Sequence, residues 1–129
     1  MYCKIIDESI HRILTNGRCL SYKGSEYIMD VKRCPVGHYL INPRRVPARK
    51  VQSWTGNYNK FFIEQYRGLP LEFWQDLQNL HDWDFLWYRD DKNKTVLSRN
   101  GKYWVDKIKN KWKTKSEDEV CLENKNNSN

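Results

Sequence analysis

A chain of 129 residues with a single alanine, Ala48, and only 29 Leu, Ile, Val and Phe residues has little aliphatic material from which to build an interior. That share lies close to the roughly 20% level below which chains tend not to fold. What the sequence offers instead is six Trp and eight Tyr, each ring able to bury on the order of 150–250 Å². The fold is therefore constrained to a core made largely of rings. Indole and phenol groups carry polar atoms inward with them, so such a core must also supply hydrogen-bond partners. The length suits one domain with a single interior.

Charge is segregated along the chain. Residues 1–51 carry about +6, residues 64–91 about −5, residues 92–115 about +8 and the final segment about −3, so the total of +7 hides opposed fields. The acidic stretch also holds the densest run of aromatics, Trp83, Phe85, Trp87 and Tyr88 interleaved with Asp84 and Leu86.

Turn chemistry divides the first third into an expected antiparallel meander. Residues 10–15 and 18–22 flank Asn16-Gly17, a dipeptide suited to the two positive φ angles of a type I′ hairpin. A turn at Lys23-Gly24-Ser25 leads into a strand over 26–31, and Pro35-Val36-Gly37 into a strand over 38–41. Pro43 and Pro47 then exclude residues 42–50 from a central strand and make them an exposed basic loop bearing Arg44, Arg45, Arg49 and Lys50. Residues 51–54 read as a strand, 55–57 as a turn, and 58–67 lean to strand.

Further on, the period changes. Pro70 opens a helix in which Phe73, Trp74, Leu77 and Leu80 recur at helical spacing, with Glu72 and Asp76 on its early turns. Residues 83–88 and 95–97 are expected to pair as a hairpin around Asp90-Asp91-Lys92-Asn93. Ser98 or Asn100 caps a last helix with Trp104, Val105, Ile108 and Trp112 on one stripe and Lys102, Lys107, Lys109, Lys111 and Lys113 around the rest. The polar, Asn-rich residues 116–129 are expected to form a disordered tail. The predicted fold is α+β: one domain over residues 1–115, with an N-terminal antiparallel meander packed by two amphipathic helices through Trp74, Leu77, Trp104, Ile108 and Trp112.

The first residues meet charge immediately and contain no long apolar run, which argues against a cleaved signal peptide. Nowhere does an apolar run approach the ~18 residues of a membrane-spanning helix. A cytoplasmic protein is expected, with no membrane partner, and its four cysteines, Cys3, Cys19, Cys34 and Cys121, as free thiols.

Three kinds of chemistry have raw material. Cys34-Pro35-Val36-Gly37-His38 resembles half of a zinc knuckle, and Cys3, His11 and Cys19 lie in the same third of the chain. The close-spaced ligand pairs of a zinc module are missing, which leaves Cys19, Cys34 and His38 as weak metal candidates and no cofactor as the expectation. His81, Asp82, Asp84, Asp90 and Asp91 would suit a small metal-dependent enzyme, yet no phosphate loop, nucleophile elbow or zinc-protease motif accompanies them, so a non-enzymatic role is favoured. The third is binding. The loop cations Arg44, Arg45, Arg49 and Lys50 and the helix cations Lys102, Lys107, Lys109, Lys111 and Lys113 form two surfaces able to neutralise phosphates. On a strand, Trp83, Phe85 and Trp87 would face one way and Asp84, Leu86 and Tyr88 the other. One set would then stay outside with Asp90 and Asp91 as a rim for a protein partner.

The expected function is a binding protein that engages nucleic acid or a nucleoprotein complex through its basic surfaces. The alternative is a stoichiometric inhibitor that blocks a host or defence protein. The Lys- and Asn-rich usage suits an A+T-rich genome, and in size and composition the chain resembles the small basic proteins of phages and mobile elements that bind and block a host factor.

Overall fold

The computed structural model describes residues 1–18, 28–29, 32–33, 35–42 and 58–127, and describes only the backbone at 28–29, 32–33 and 116–127. The fold is mostly helical. Its elements run α1 (Tyr2–Asn16), β1 (Ile28–Met29), β2 (Lys32–Arg33), a 3₁₀ turn Val36–Tyr39, further 3₁₀ turns at Tyr58–Phe61 and Glu64–Tyr66, α2 (Leu71–Asp82), a 3₁₀ turn Asp84–Leu86, β3 (Trp87–Arg89), β4 (Thr95–Leu97) and α3 (Arg99–Asn127). Two separate antiparallel ladders, β1 with β2 and β3 with β4, are the paired strands among the described residues. This mixture of helices with small antiparallel pairs fits the α+β class.

The N-terminal meander is corrected. Residues 2–16 form a helix, because Tyr2, Ile5, Ile6, Ser9, Ile10 and Ile13 are buried at spacings of three and four, which a strand cannot place on one face. Asn16-Gly17 ends that helix instead of turning a hairpin: Gly17 adopts φ 83° and its N–H donates to the Ile13 carbonyl at 2.7 Å. A glycine with positive φ serves a helix C-terminus as well as a hairpin, so the dipeptide alone does not distinguish them. Within the expected strand 26–31, Ile28 and Met29 do pair, in register with Arg33 and Lys32.

The strand expected over 38–41 is also replaced, since Val36–Tyr39 winds as a 3₁₀ turn packed on α2. What survives of pairing there is one bridge, Leu40 with Phe62, framed by Ile41 N–H to the Phe61 carbonyl at 2.9 Å and Ile63 N–H to the Tyr39 carbonyl at 3.0 Å. Residues 58–67, leaning to strand in sequence, are otherwise 3₁₀ turns. The expected turn at 23–25, most of the strand over 18–22, residues 43–50 of the basic loop, the strand over 51–54 and the turn over 55–57 lie outside the described residues.

The core is built of rings, as the composition demands. Tyr2 of α1, Phe73 of α2 and Trp112 of α3 meet in a triangle with centroid separations of 4.9, 5.1 and 5.3 Å. Phe73 passes the contact to Trp74, which stacks on Phe62 at 4.4 Å and lies 5.5 Å from Tyr39. Ile5, Ile6, Ile10, Leu77, Leu80, Val105 and Ile108 fill in around this spine. Of the residues expected to join the helices, Trp74, Leu77, Ile108 and Trp112 are buried and Trp104 is half-buried. They serve a helical interface, with α3 packed on both α1 and α2.

Polar atoms carried inward are largely met. The Trp112 indole donates to Asp76 at 2.9 Å and the Trp87 indole to the Leu80 carbonyl at 2.7 Å. The Tyr39 hydroxyl donates to Glu8 at 3.2 Å and accepts from Arg12 at 3.1 Å; burial pushes its pKa up, against the pull of Arg12. α2 begins one residue later than proline's usual first helical position, with Pro70 as the cap whose carbonyl accepts from Phe73 N–H. The backbone of α3 continues to Asn127, through most of the segment expected as a disordered tail; no Gly or Pro follows Gly101 to stop it.

Candidate surface for recognition

α3 starts where the chain leaves the β3–β4 hairpin, and Ser98 fixes that junction. Its hydroxyl donates to the Phe85 carbonyl at 2.7 Å and accepts from Gly101 N–H at 3.0 Å, while its own N–H donates to the Leu86 carbonyl at 2.8 Å. The expected cap at Ser98 is thus formed. Gly101 allows the close approach: a Cβ there would collide with the Leu86 carbonyl oxygen.

This junction decides how the acidic aromatic block is displayed. Strand alternation over 83–88 does not occur, because Asp84–Leu86 is a 3₁₀ turn, which breaks the period of two. Leu86 and Trp87 both turn inward, whereas Phe85 is 55% exposed and Tyr88 54% exposed. Trp87 is therefore part of the core. Trp83 is half-buried and stacks on Phe85, with centroids 5.8 Å apart and planes at 19°. Its other neighbour is Trp104 of α3, edge to face at 5.2 Å, and Trp104 in turn lies 6.5 Å from Tyr103, which is 63% exposed. Phe85, Trp83, Trp104 and Tyr103 form a ladder of rings with both ends open to solvent.

The lysines of α3 divide into two groups. Lys109 reaches Asp7 of α1 at 2.8 Å, which raises its pKa. Lys111 reaches Glu72 at 2.7 Å and Asp76 at 2.8 Å on α2. Desolvation opposes its charge, yet those hydrogen bonds leave its pKa above the ordinary lysine value, and they hold Glu72 below the ordinary carboxylate value. Lys115 adds a contact to Glu72 at 3.6 Å. Lys102, Lys107 and Lys113 are exposed together with Arg99, and none of the four has a carboxylate partner among the described residues. Lys107 instead lies over the Trp104 ring at 4.8 Å and near Tyr103 at 6.0 Å.

Of the two carboxylates expected to rim a protein site, Asp90 is engaged in the hairpin turn and Asp91 stays exposed. Asp90 accepts N–H bonds from Lys92 at 3.0 Å and Lys94 at 2.9 Å, and so shapes the hairpin turn in which Asn93 takes φ 62°. Asp91 is exposed on that turn. Asp84 pairs with Arg18 at 2.9 Å, the same guanidinium that donates to the carbonyls of His81 and Asp82 at the end of α2. His81 is fully buried with its Nδ1 2.8 Å from Asp82.

Arg44, Arg45, Arg49, Lys50, Cys19 and Cys34 lie outside the described residues. His38 is half-buried, His11 is exposed on α1, and Cys3 is a free thiol that donates to the Lys109 carbonyl at 3.6 Å. No three His, Cys, Asp or Glu side chains among the described residues come together as a metal site. No described helix is long and apolar enough to cross a membrane.

Sequence reasoning missed Tyr103 and the surface role of Trp104. A signal was present for Tyr103: a large ring one turn from both Arg99 and Lys107 lies on the polar side of the helix, away from the stripe of Val105, Ile108 and Trp112. Comparison of the chain with protein-family models, with curated proteins and with solved structures returns no match.

Proposed function

We propose that this chain is a non-enzymatic binding protein that engages nucleic acid or a nucleoprotein complex through the cationic outer face of α3, together with the loop cations Arg44, Arg45, Arg49 and Lys50. The observation that carries this reading is the sorting of α3 cations. Lys109 and Lys111 are used to fasten α1 and α2, whereas Arg99, Lys102, Lys107 and Lys113 are left exposed, with Asp106 as the acidic residue among them. Exposed cations repel one another and gain when a polyanion displaces their counterions. Lys102 and Lys113 lie on the same side of the helix three turns apart, about 16 Å by helical rise, so one bound strand can meet both.

A gel shift across a salt series tests the reading. Affinity is expected to fall steeply with salt. Replacing Lys102, Lys107 and Lys113 by Ala should weaken binding and flatten the slope by up to about 0.9 for each duplex phosphate that is no longer neutralised. Absence of any shift, with single strands or duplexes at low salt, would remove it.

A second reading, a stoichiometric inhibitor of a host or defence protein, is supported by Phe85 and Tyr88, rings more than half exposed within the acidic stretch of the chain. A tagged pull-down that returns one dominant protein after nuclease treatment would favour it over the first.

A further inference from the structure

We infer that the ring ladder Phe85, Trp83, Trp104 and Tyr103 is a stacking platform for unpaired nucleobases, so that the nucleic acid taken by this protein is single-stranded. The inference rests on the nucleic-acid reading above and specifies its ligand. Aromatic rings beside cations are the combination that holds a single strand: the rings accept base faces and the cations track the backbone. Both parts are present here. Phe85 and Tyr103, at the two ends of the ladder, are 55% and 63% exposed. The rings between them are set at centroid steps of 5.8, 5.2 and 6.5 Å. Lys107 stands against the ladder itself, 4.8 Å from the Trp104 centroid. Arg99 lies one turn from Tyr103 on the other side.

The charges around the ladder favour an anion. Of the carboxylates near the ladder, Asp84 pairs with Arg18 at 2.9 Å, Asp76 with Lys111 at 2.8 Å, and Asp82 accepts from Gln78 at 2.9 Å, while Asp106 stands among Arg99, Lys102 and Lys107 on the neighbouring face of α3. The ladder is also held in place before any ligand arrives. Ser98 ties the Phe85 backbone to the start of α3, and Gly101 seats the helix on Leu86, so the rings at 83 and 85 keep their place relative to those at 103 and 104. A backbone junction fixed in advance leaves only the side chains to be ordered on binding. A duplex keeps its base faces inside its own stack and can offer this surface only phosphates, whereas an unpaired strand satisfies rings and cations together.

The test measures fluorescence anisotropy of labelled oligothymidylate and oligouridylate of roughly twenty nucleotides, and of a duplex of equal length, with tryptophan emission recorded in the same titrations. Single strands are expected to bind more tightly than the duplex and to quench tryptophan emission. The double variant Phe85→Ala, Tyr103→Ala removes two exposed rings, so it should keep the wild-type melting temperature. It is expected to weaken single-strand binding about tenfold or more while leaving duplex binding and the salt slope unchanged. Equal affinity for strand and duplex, with the double variant indifferent, would overturn the platform while the cationic reading of α3 stands. Binding of neither would remove both. Ring-dependent capture of a protein, without binding of single strands, would assign the ladder to a protein partner and overturn the inference.

Discussion

Trp104 and Trp112 lie about two turns apart on α3, and each has a lysine ammonium against its ring, yet one is shut inside the protein and the other borders solvent. Lys115 stands 4.4 Å and Lys111 5.2 Å from the Trp112 centroid, as Lys107 stands 4.8 Å from Trp104. The difference comes from what other elements bring. At 112, α1 supplies Tyr2 and α2 supplies Phe73 and Asp76, so the ring is enclosed and its N–H is satisfied. At 104 the ring neighbours are Trp83, itself half-buried, and exposed Tyr103. Local sequence chemistry is nearly the same at the two sites, and the surroundings make one a keystone and the other a surface.

The contrast can be broken most forcefully at the closed end. Trp112→Ala should cost about 3–5 kcal/mol by urea denaturation, since it empties the ring triangle and takes one of its two donors from the Asp76 carboxylate. A loss under about 1 kcal/mol would mean the three helices do not depend on that triangle. Next comes the seam beneath the open end. Gly101→Ala drives a Cβ into the Leu86 carbonyl oxygen and sets it 2.8 Å from Leu97 Cδ2, and forcing α3 away should cost about 2–3 kcal/mol. Asp76→Ala should cost about 2 kcal/mol, because it strands the buried Trp112 indole N–H and leaves Lys111 with Glu72 alone. Trp104→Ala, at the open end, should cost only about 1–2 kcal/mol in a thermal or urea melt, in keeping with a half-buried ring.

The smallest effect is a matter of pH. The Lys111 hydrogen bond and charge lower Glu72 from 4.5, so its contribution is present above that pH and fades as pH falls through the lowered value. Lys111 is opposed by desolvation but is raised above 10.5 by Asp76 and Glu72, so its contribution is full below that pH and fades as pH rises through the raised value. With solvent screening each shoulder should amount to under about 1 kcal/mol. Urea midpoints measured against pH should show a plateau between them, and Lys111→Met should flatten both shoulders.

The parts legible in sequence are those whose neighbours in sequence are also neighbours in space. α2 and the stripe of α3 follow from helical spacing, and the β3–β4 hairpin follows from its Asp-Asn turn, where Asp90 and Asn93 do what their side chains suit them for. α1 was hidden by a signal with two meanings, since Asn16-Gly17 closes a helix as readily as it turns a hairpin, and its many isoleucines read equally as strand. The 3₁₀ turn at Asp84–Leu86 has no distinctive period, so which rings of the acidic block face outward was not readable from alternation. The sorting of the lysines depends on partners 35 to 102 residues away, such as Asp76 for Lys111 and Asp7 for Lys109. No local pattern encodes that distance.

The pairing of α1 with α3 has a consequence for how the chain is made. Asp7 and Lys109 are separated by 102 positions, so at about 5–20 residues per second a ribosome exposes α1 for roughly 5–20 s before its partner helix emerges. During that interval Tyr2, Ile5, Ile6 and Ile13 present an uncovered greasy stripe, and the nascent chain depends on whatever holds such stripes apart until the last helix arrives.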